Sequence, residues 1–138
     1  MEYLFDTNIF GELRRPDLMD PKALEFLSAI PSDRTYLSAI SLLEMETGVL
    51  RIERKDPSQG IILRQWLDAI LAFYDGSRIL VVDADIARRC AAKHVPNPRS
   101  YYDGLIAATA EHHGMTIVTR NDRDFSDASI PVVNPWKS

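Results

Sequence analysis

The chain has 138 residues, 46% hydrophobic and 26% charged, with a formal net charge of −4. That length accommodates one domain with a real core, and that balance excludes disordered, fibrous and wholly basic nucleic-acid-coating proteins. The lone Cys90 excludes an internal disulfide; with no signal peptide and no apolar run near the roughly 20 residues of a membrane span, a cytoplasmic protein is expected.

Tyr3 to Phe5 is a short apolar run ending abruptly in Asp6-Thr7-Asn8, the pattern of a buried first strand that delivers polar groups at its carboxyl end. Ile9 to Leu13 predicts a short helix stopped before Pro16. Pro21 suits a first helical turn, and Ala23, Leu24, Phe26, Leu27 and Ile30 share one face up to Pro31. Thr35 to Ser38 is β-like, and Ser38 or Ser41 caps a helix expected from about Ile40 to Glu53. Lys55 to Gly60 reads as a loop. Leu63, Trp66, Leu67, Ile70, Leu71 and Tyr74 then give a clear amphipathic helix, ended by Gly76.

Arg78 to Val82 is an apolar run without alternation, as expected of a strand covered on both faces. A helix opens at Asp83-Ala84-Asp85 and runs to about Lys93, with Ile86, Ala87, Cys90 and Ala91 inward. Pro96-Asn97-Pro98-Arg99 is a rigid loop, and Asp103 to His113 a helix closed by Gly114. Met115 to Thr119 is a further strand, Arg120 to Phe125 a polar loop, and Pro131 to Val133 an edge strand. The alternation of strands and helices predicts one α/β domain over residues 1–138, with a mostly parallel central sheet of about five strands flanked by helices.

In such a sheet the carboxyl ends of strands and the amino ends of the following helices share one rim, where ligands bind. Asp6 ends the first strand, Glu44 sits on a narrow polar helix face with Ser41, Thr47 and Gly48, and Asp103 opens its helix. Asn121, Asp122 and Asp124 follow the Met115–Thr119 strand. Each has an ordinary reading: Asp6, Thr7 and Asp103 as helix caps, Glu44 as an exposed acid, Asn121, Asp122 and Asp124 as turn residues. Together, converging carboxylates repel unless a cation sits among them, and hard oxygen donors suit Mg²⁺. A cation so held polarises a phosphodiester and lowers the pKa of bound water. His94, His112 and His113 are scattered, so a zinc site is not expected.

Four stretches in this order carry a family resemblance: Asp6-Thr7-Asn8, Leu37 to Gly48, Asp103 to Ala110, and Ile117 to Phe125. The chain resembles PIN-domain ribonucleases, and most of all the VapC and FitB-like toxins of bacterial type II toxin–antitoxin systems. The resemblance implies a Mg²⁺-dependent endoribonuclease, with Mn²⁺ as a substitute, acting on structured RNA such as tRNA or rRNA. It also implies a homodimer and a cognate DNA-binding antitoxin of the VapB or FitA kind, seated in a groove near the early helices. Ile9–Leu13, Leu24–Ile30 and Leu42–Ile52 are its expected walls. Carried over by position, Asp6, Glu44, Asp103 and Asp124 are the catalytic, metal-binding acids. Thr7, Asn8, Ser38 and Asn121 support them. Many relatives place an Asp where this chain has Asn121, which leaves Asp122 as a minor candidate for the fourth acid.

For the substrate, Arg120 and Arg123 flank the last motif, and Arg99 precedes Asp103; Arg88, Arg89 and Lys93 approach the same rim or form a solvated helix face. Two other readings compete. A phosphatase of the haloacid-dehalogenase type would use Asp6 as nucleophile, but it wants a second Asp two residues on, where this chain has Asn8. A catalytically silent PIN-like interaction module would not need the full acid set.

Overall fold

The computed structural model describes residues 1–126 and 129–137. Five strands form one parallel sheet, as expected: β1 (Tyr3–Phe5), β2 (Thr35–Ser38), β3 (Ile79–Leu80), β4 (Thr116–Val118) and β5 (Val132–Val133), in the spatial order β3-β2-β1-β4-β5. Around it run α1 (Thr7–Leu13), α2 (Pro21–Ala29), α3 (Ala39–Lys55), α4 (Pro57–Phe73), α5 (Ala84–Lys93) and α6 (Tyr101–His113). Phe5 pairs in register with Leu37 on one side and Val118 on the other, so β1 is central.

The period-two alternation of β1 sends its two buried side chains, Leu4 and Phe5, to opposite faces. Phe5 joins Ile9, Phe10, Leu37, Val49 and Leu67 in a core beneath α1 to α4. Leu4 joins Ile106, Ala107, Ala110, Ile117 and Phe125 beneath α6. Fully buried side chains of this size each contribute about 1.5–3 kcal/mol, so both helical layers are firmly seated on the sheet. The chain leaves β1 toward β2 and β3, then returns to the other side for β4 and β5. The order therefore reverses between β1 and β4, which opens a crevice at their carboxyl ends.

Several boundaries differ from expectation, each for a local reason. Helix α1 starts at Thr7, two residues early, because the Asp6 carboxylate accepts from the Thr7 N–H. The expected loop Lys55 to Gly60 collapses to Asp56, which follows α3 directly and caps α4 by accepting from Gln59 N–H, with Pro57 in the first turn. Helix α4 ends at Phe73, ahead of Gly76. Strand β3 is only two residues long and lies on the sheet's edge, so Val81 and Val82 are exposed and the run is not covered on both faces. Ala87 and Ala91 also face solvent, whereas Ile86 and Cys90 pack inward against Ala108. Ser100, not Asp103, caps α6, and Gly114 in the left-handed region (φ 66°) ends it as expected. Within the polar loop, Asp122–Phe125 forms a 3-10 turn that drives Phe125 into the core. No helix among the described residues is long and apolar enough to cross a membrane.

Candidate active site

Asp6 follows β1 and Thr119 follows β4, so the two stand side by side at the reversal point of the sheet. Both are buried. Thr119 Oγ1 donates to Asp6 Oδ2 at 2.8 Å, the Thr7 N–H donates to Oδ1 at 2.8 Å, and Asn8 Nδ2 donates to Oδ2 at 3.2 Å. Asp6 is thus both the cap of α1 and an anchored acid, and the two readings of the sequence do not exclude each other. The Asn8 side chain also bridges to β4, donating to Thr119 Oγ1 at 3.3 Å and accepting from the Arg120 N–H at 3.3 Å.

Glu44 reaches the same place from α3. The Thr7 hydroxyl lies 2.8 Å from both Glu44 Oε1 and the buried Ser41 Oγ. Its single proton goes to the carboxylate, which leaves Ser41 as donor of the second bond. Asp103 arrives from the first turn of α6 and Asp124 from the 3-10 turn after β4. A cleft of about 270 Å³ is lined by all four acids together with Thr7, Asn8 and Asn121. Asn121 is placed by its own N–H, which donates to Thr119 Oγ1 at 3.0 Å.

Electrostatics record the crowding. Burial raises the Asp6 pKa, the bonds from Thr119 and Thr7 oppose the rise, and the charges of Glu44 and Asp124 add to it. The Asp103 pKa is pushed up to about 6 by burial and then by Asp124, Asp6 and Glu44, with Arg99 pulling the other way. Asp6 and Asp103, whose ionised forms are disfavoured by burial and by the acids beside them, lie in a site suited to a cation. The donors facing the cleft are all oxygens or amides, with no histidine or cysteine. Among the described residues no three acids stand close enough together to hold a metal ion on their own. The chemistry of the donors fits a hard divalent cation such as Mg²⁺, which binds through few carboxylates and keeps several waters.

Not every expected residue reaches this cleft. Ser38 is fully buried and caps α3, its Oγ accepting from the Ile40 N–H at 3.0 Å. Asp122 is held outside by Lys137 Nζ at 2.9 Å and by Asn134, which keep its pKa low. Arg120 pairs with Glu12 and lies over the Trp136 ring. Arg89 and Lys93 bond Glu111, well along α6 from Asp103. Arg99 and Arg123 do border the acids, in an adjoining cleft that shares Asp103 and Asp124. The sequence reading missed Thr119 as a site residue; its position at the end of an apolar strand, like that of Asp6, was the available signal. Ser41 was placed on the Glu44 face, yet only packing shows its contact with Thr7.

A separate, mostly apolar cavity of about 420 Å³ lies between α1 and α4, lined by Phe10, Leu13, Arg14, Trp66, Ile70 and Phe73 among others. Of the three expected groove walls only α1 borders it. Leu24, Ile30 and Leu42 instead pack on the core.

The PIN domain family model matches residues 3–131. The chain belongs to the PIN-domain family. Among its relatives, Toxin FitB of Neisseria gonorrhoeae is 32% identical over 96% of this PIN domain and 97% of the relative. The VapC ribonuclease Y4jK of Sinorhizobium fredii is 30% identical over 97% of each. Among solved structures, FitAB bound to the IR36 DNA fragment superposes with a TM-score of 0.82 at 32% identity, covering 99% of this domain and 96% of that chain. The family and the site geometry together displace the dehalogenase-type reading: the residue two beyond Asp6 is Asn8, which orients Asp6 and Thr119 and carries no exchangeable acid proton.

Proposed function

We propose that this PIN domain is the toxin of a type II toxin–antitoxin pair, a Mg²⁺-dependent endoribonuclease that hydrolyses RNA phosphodiester bonds, with Mn²⁺ as an alternative ion. The observation that carries the reading is the meeting of Asp6, Glu44, Asp103 and Asp124 from four different elements in one cleft. The names of two full-length relatives, a toxin and a VapC ribonuclease, support it.

Bound Mg²⁺ would supply charge neutralisation at the scissile phosphate and a water of lowered pKa. The protein's part is positional. Asp6 and Asp103 present the inner carboxylates, and Asp124 stands exposed at the mouth. Thr119 and Asn8 hold Asp6 in one rotamer, while Thr7 aims Glu44. Pre-oriented ligands cost no reorganisation during reaction, which is where such sites gain most of their rate. In keeping with FitAB and related complexes, an antitoxin partner is proposed for this chain too. The apolar cavity between α1 and α4, with Arg14 at its edge, is the proposed seat for an apolar segment of that partner.

The test is cleavage of RNA by the purified protein. Activity is expected with Mg²⁺ or Mn²⁺, to vanish on chelation, and to fall at least about 100-fold in Asp6→Asn and Asp103→Asn. Undiminished cleavage by Asp103→Asn, with contaminating nuclease excluded, would sink the assignment. Turnover of p-nitrophenyl phosphate is expected to be absent.

A further inference from the structure

The cations around the acid cleft are unevenly committed. On one side Arg120 is engaged by Glu12 and Trp136, and Lys137 by Asp122. On the other, Arg99 and Arg123 line a second cleft of about 390 Å³ with Ser100 and Ser126, contiguous with the first through Asp103 and Asp124. Neither guanidinium is drawn into an ion pair with a described residue. Both guanidiniums are therefore free to take an anion from outside, and a phosphate matches their planar donor geometry.

The next residue along the chain adds a different chemistry. Tyr101 stacks on His94, ring centroids 4.3 Å apart and planes 19° from parallel, yet 69% of the tyrosine is exposed. One face is covered and the other is open. The support beneath is rigid. His94 Nδ1 lies 2.8 Å from the Cys90 carbonyl, so that nitrogen carries the proton. Its ring is wedged against Gly104, where an added Cβ would fall 2.7 Å from Cε1. A glycine at that point of α6 is what lets the imidazole lie flat under Tyr101.

We propose that Tyr101, Arg99 and Arg123 form a nucleotide subsite beside the acid cleft: an unpaired base stacks on the open face of Tyr101, and the phosphate next to the scissile one lies between the two arginines. This rests on the ribonuclease reading of the acid cleft. A platform of one aromatic face with flanking cations is how single-stranded nucleic acid is held without reading its sequence, and a base must leave its duplex to use it. The subsite thereby selects loops and single strands over paired RNA. It also explains how a chain of net charge −4 holds a polyanion, since only the local cations need engage.

The experiment measures binding of a short fluorescent single-stranded oligoribonucleotide to the full chain carrying Asp103→Asn, in Mg²⁺. Adding Tyr101→Leu, which keeps the apolar contact with His94 but has no aromatic face, is expected to weaken binding at least about fivefold, while Tyr101→Phe leaves it unchanged. Arg99→Gln with Arg123→Gln, which frees the one phosphate held between them, is expected to lower the slope of log affinity against log salt by about 0.7. In the otherwise native protein, Tyr101→Leu is expected to raise KM for that oligonucleotide without changing kcat. Equal binding by the Leu and Phe variants overturns the subsite, as does an unchanged salt slope. Tyr101-dependent binding in a native protein that cleaves no RNA overturns the nuclease reading and leaves the subsite standing.

Discussion

At the scale of single residues, Asp6 shows how one side chain serves folding and chemistry together. Its Oδ1 caps α1 through the Thr7 N–H, and its Oδ2 takes hydrogen bonds from Thr119 and Asn8. Such outer partners fix a ligand's orientation and are felt strongly when lost. Thr119→Val keeps the shape but removes the buried donor to Asp6. It is expected to weaken Mg²⁺ binding about 10–100-fold, with Thr119→Ser close to native, as isothermal titration calorimetry would show. The cost in stability should be about 1–3 kcal/mol, the penalty of an underbonded buried acceptor. Asp6, Asp103, Glu44 and Asp124 were all legible in the sequence: Asp6, Asp103 and Asp124 are acids beside the end of a strand or the start of a helix, and Glu44 is an acid on a narrow polar helix face. Thr119 was not, because a threonine closing an apolar run reads as the last residue of a strand.

At the scale of elements, the α3–α4 hairpin is held by a close approach that the sequence concealed. Gly60 in α4 sits so near α3 that a Cβ would lie 2.6 Å from the Glu53 Cα. Arg64 clamps the same pair, bonding Glu46 and Glu53. In the sequence, Asp56, Pro57, Ser58 and Gly60 spelled a loop; in space, Asp56 caps one helix straight after ending another. Helix propensity alone favours alanine over glycine by about 1 kcal/mol at any interior helical position. Opposite signs are therefore expected at two glycines. Gly48→Ala, where nothing lies within 4 Å, should stabilise by up to about 1 kcal/mol. Gly60→Ala should destabilise by about 1–3 kcal/mol through overpacking against backbone that cannot move aside. Chemical denaturation of both proteins reads the two signs directly.

At the scale of the whole molecule, four acids gathered at the sheet's rim impose a cost on the metal-free fold. The Asp103 pKa is raised from 3.8 to about 6. A folded pKa above the unfolded one means that the group's stabilising contribution is complete below about pH 4. That contribution is lost as pH rises through about 6. In the presence of a chelator the native protein should therefore lose part of its stability between those pH values. Asp103→Asn should flatten that fall and melt higher than the metal-free native protein at pH 7, despite losing activity. Mg²⁺ should raise the Tm of the native protein at pH 7, and much less that of Asp103→Asn. Thermal melts across pH, with and without the ion, test all three outcomes. A metal-free protein whose Tm rises steadily from pH 4 to 7 would contradict the proposed crowding.

The sequence by itself determined the class of the fold and the order of its parts. Apolar runs of strand length alternating with helical periodicity leave little choice but a covered parallel sheet, and acids at the ends of those runs mark its rim. Motif order was enough to indicate the family. What only the tertiary structure decided was distance. Strand order brought Asp6 beside Thr119, 113 positions away, and packing set Ser38 aside as a buried cap while bringing Ser41 onto Thr7. It also tied Arg120 to Glu12 and left Arg99 and Arg123 uncommitted. A sequence records which side chains can pair; which of them do depends on register and helix packing, and those are settled by the core as a whole.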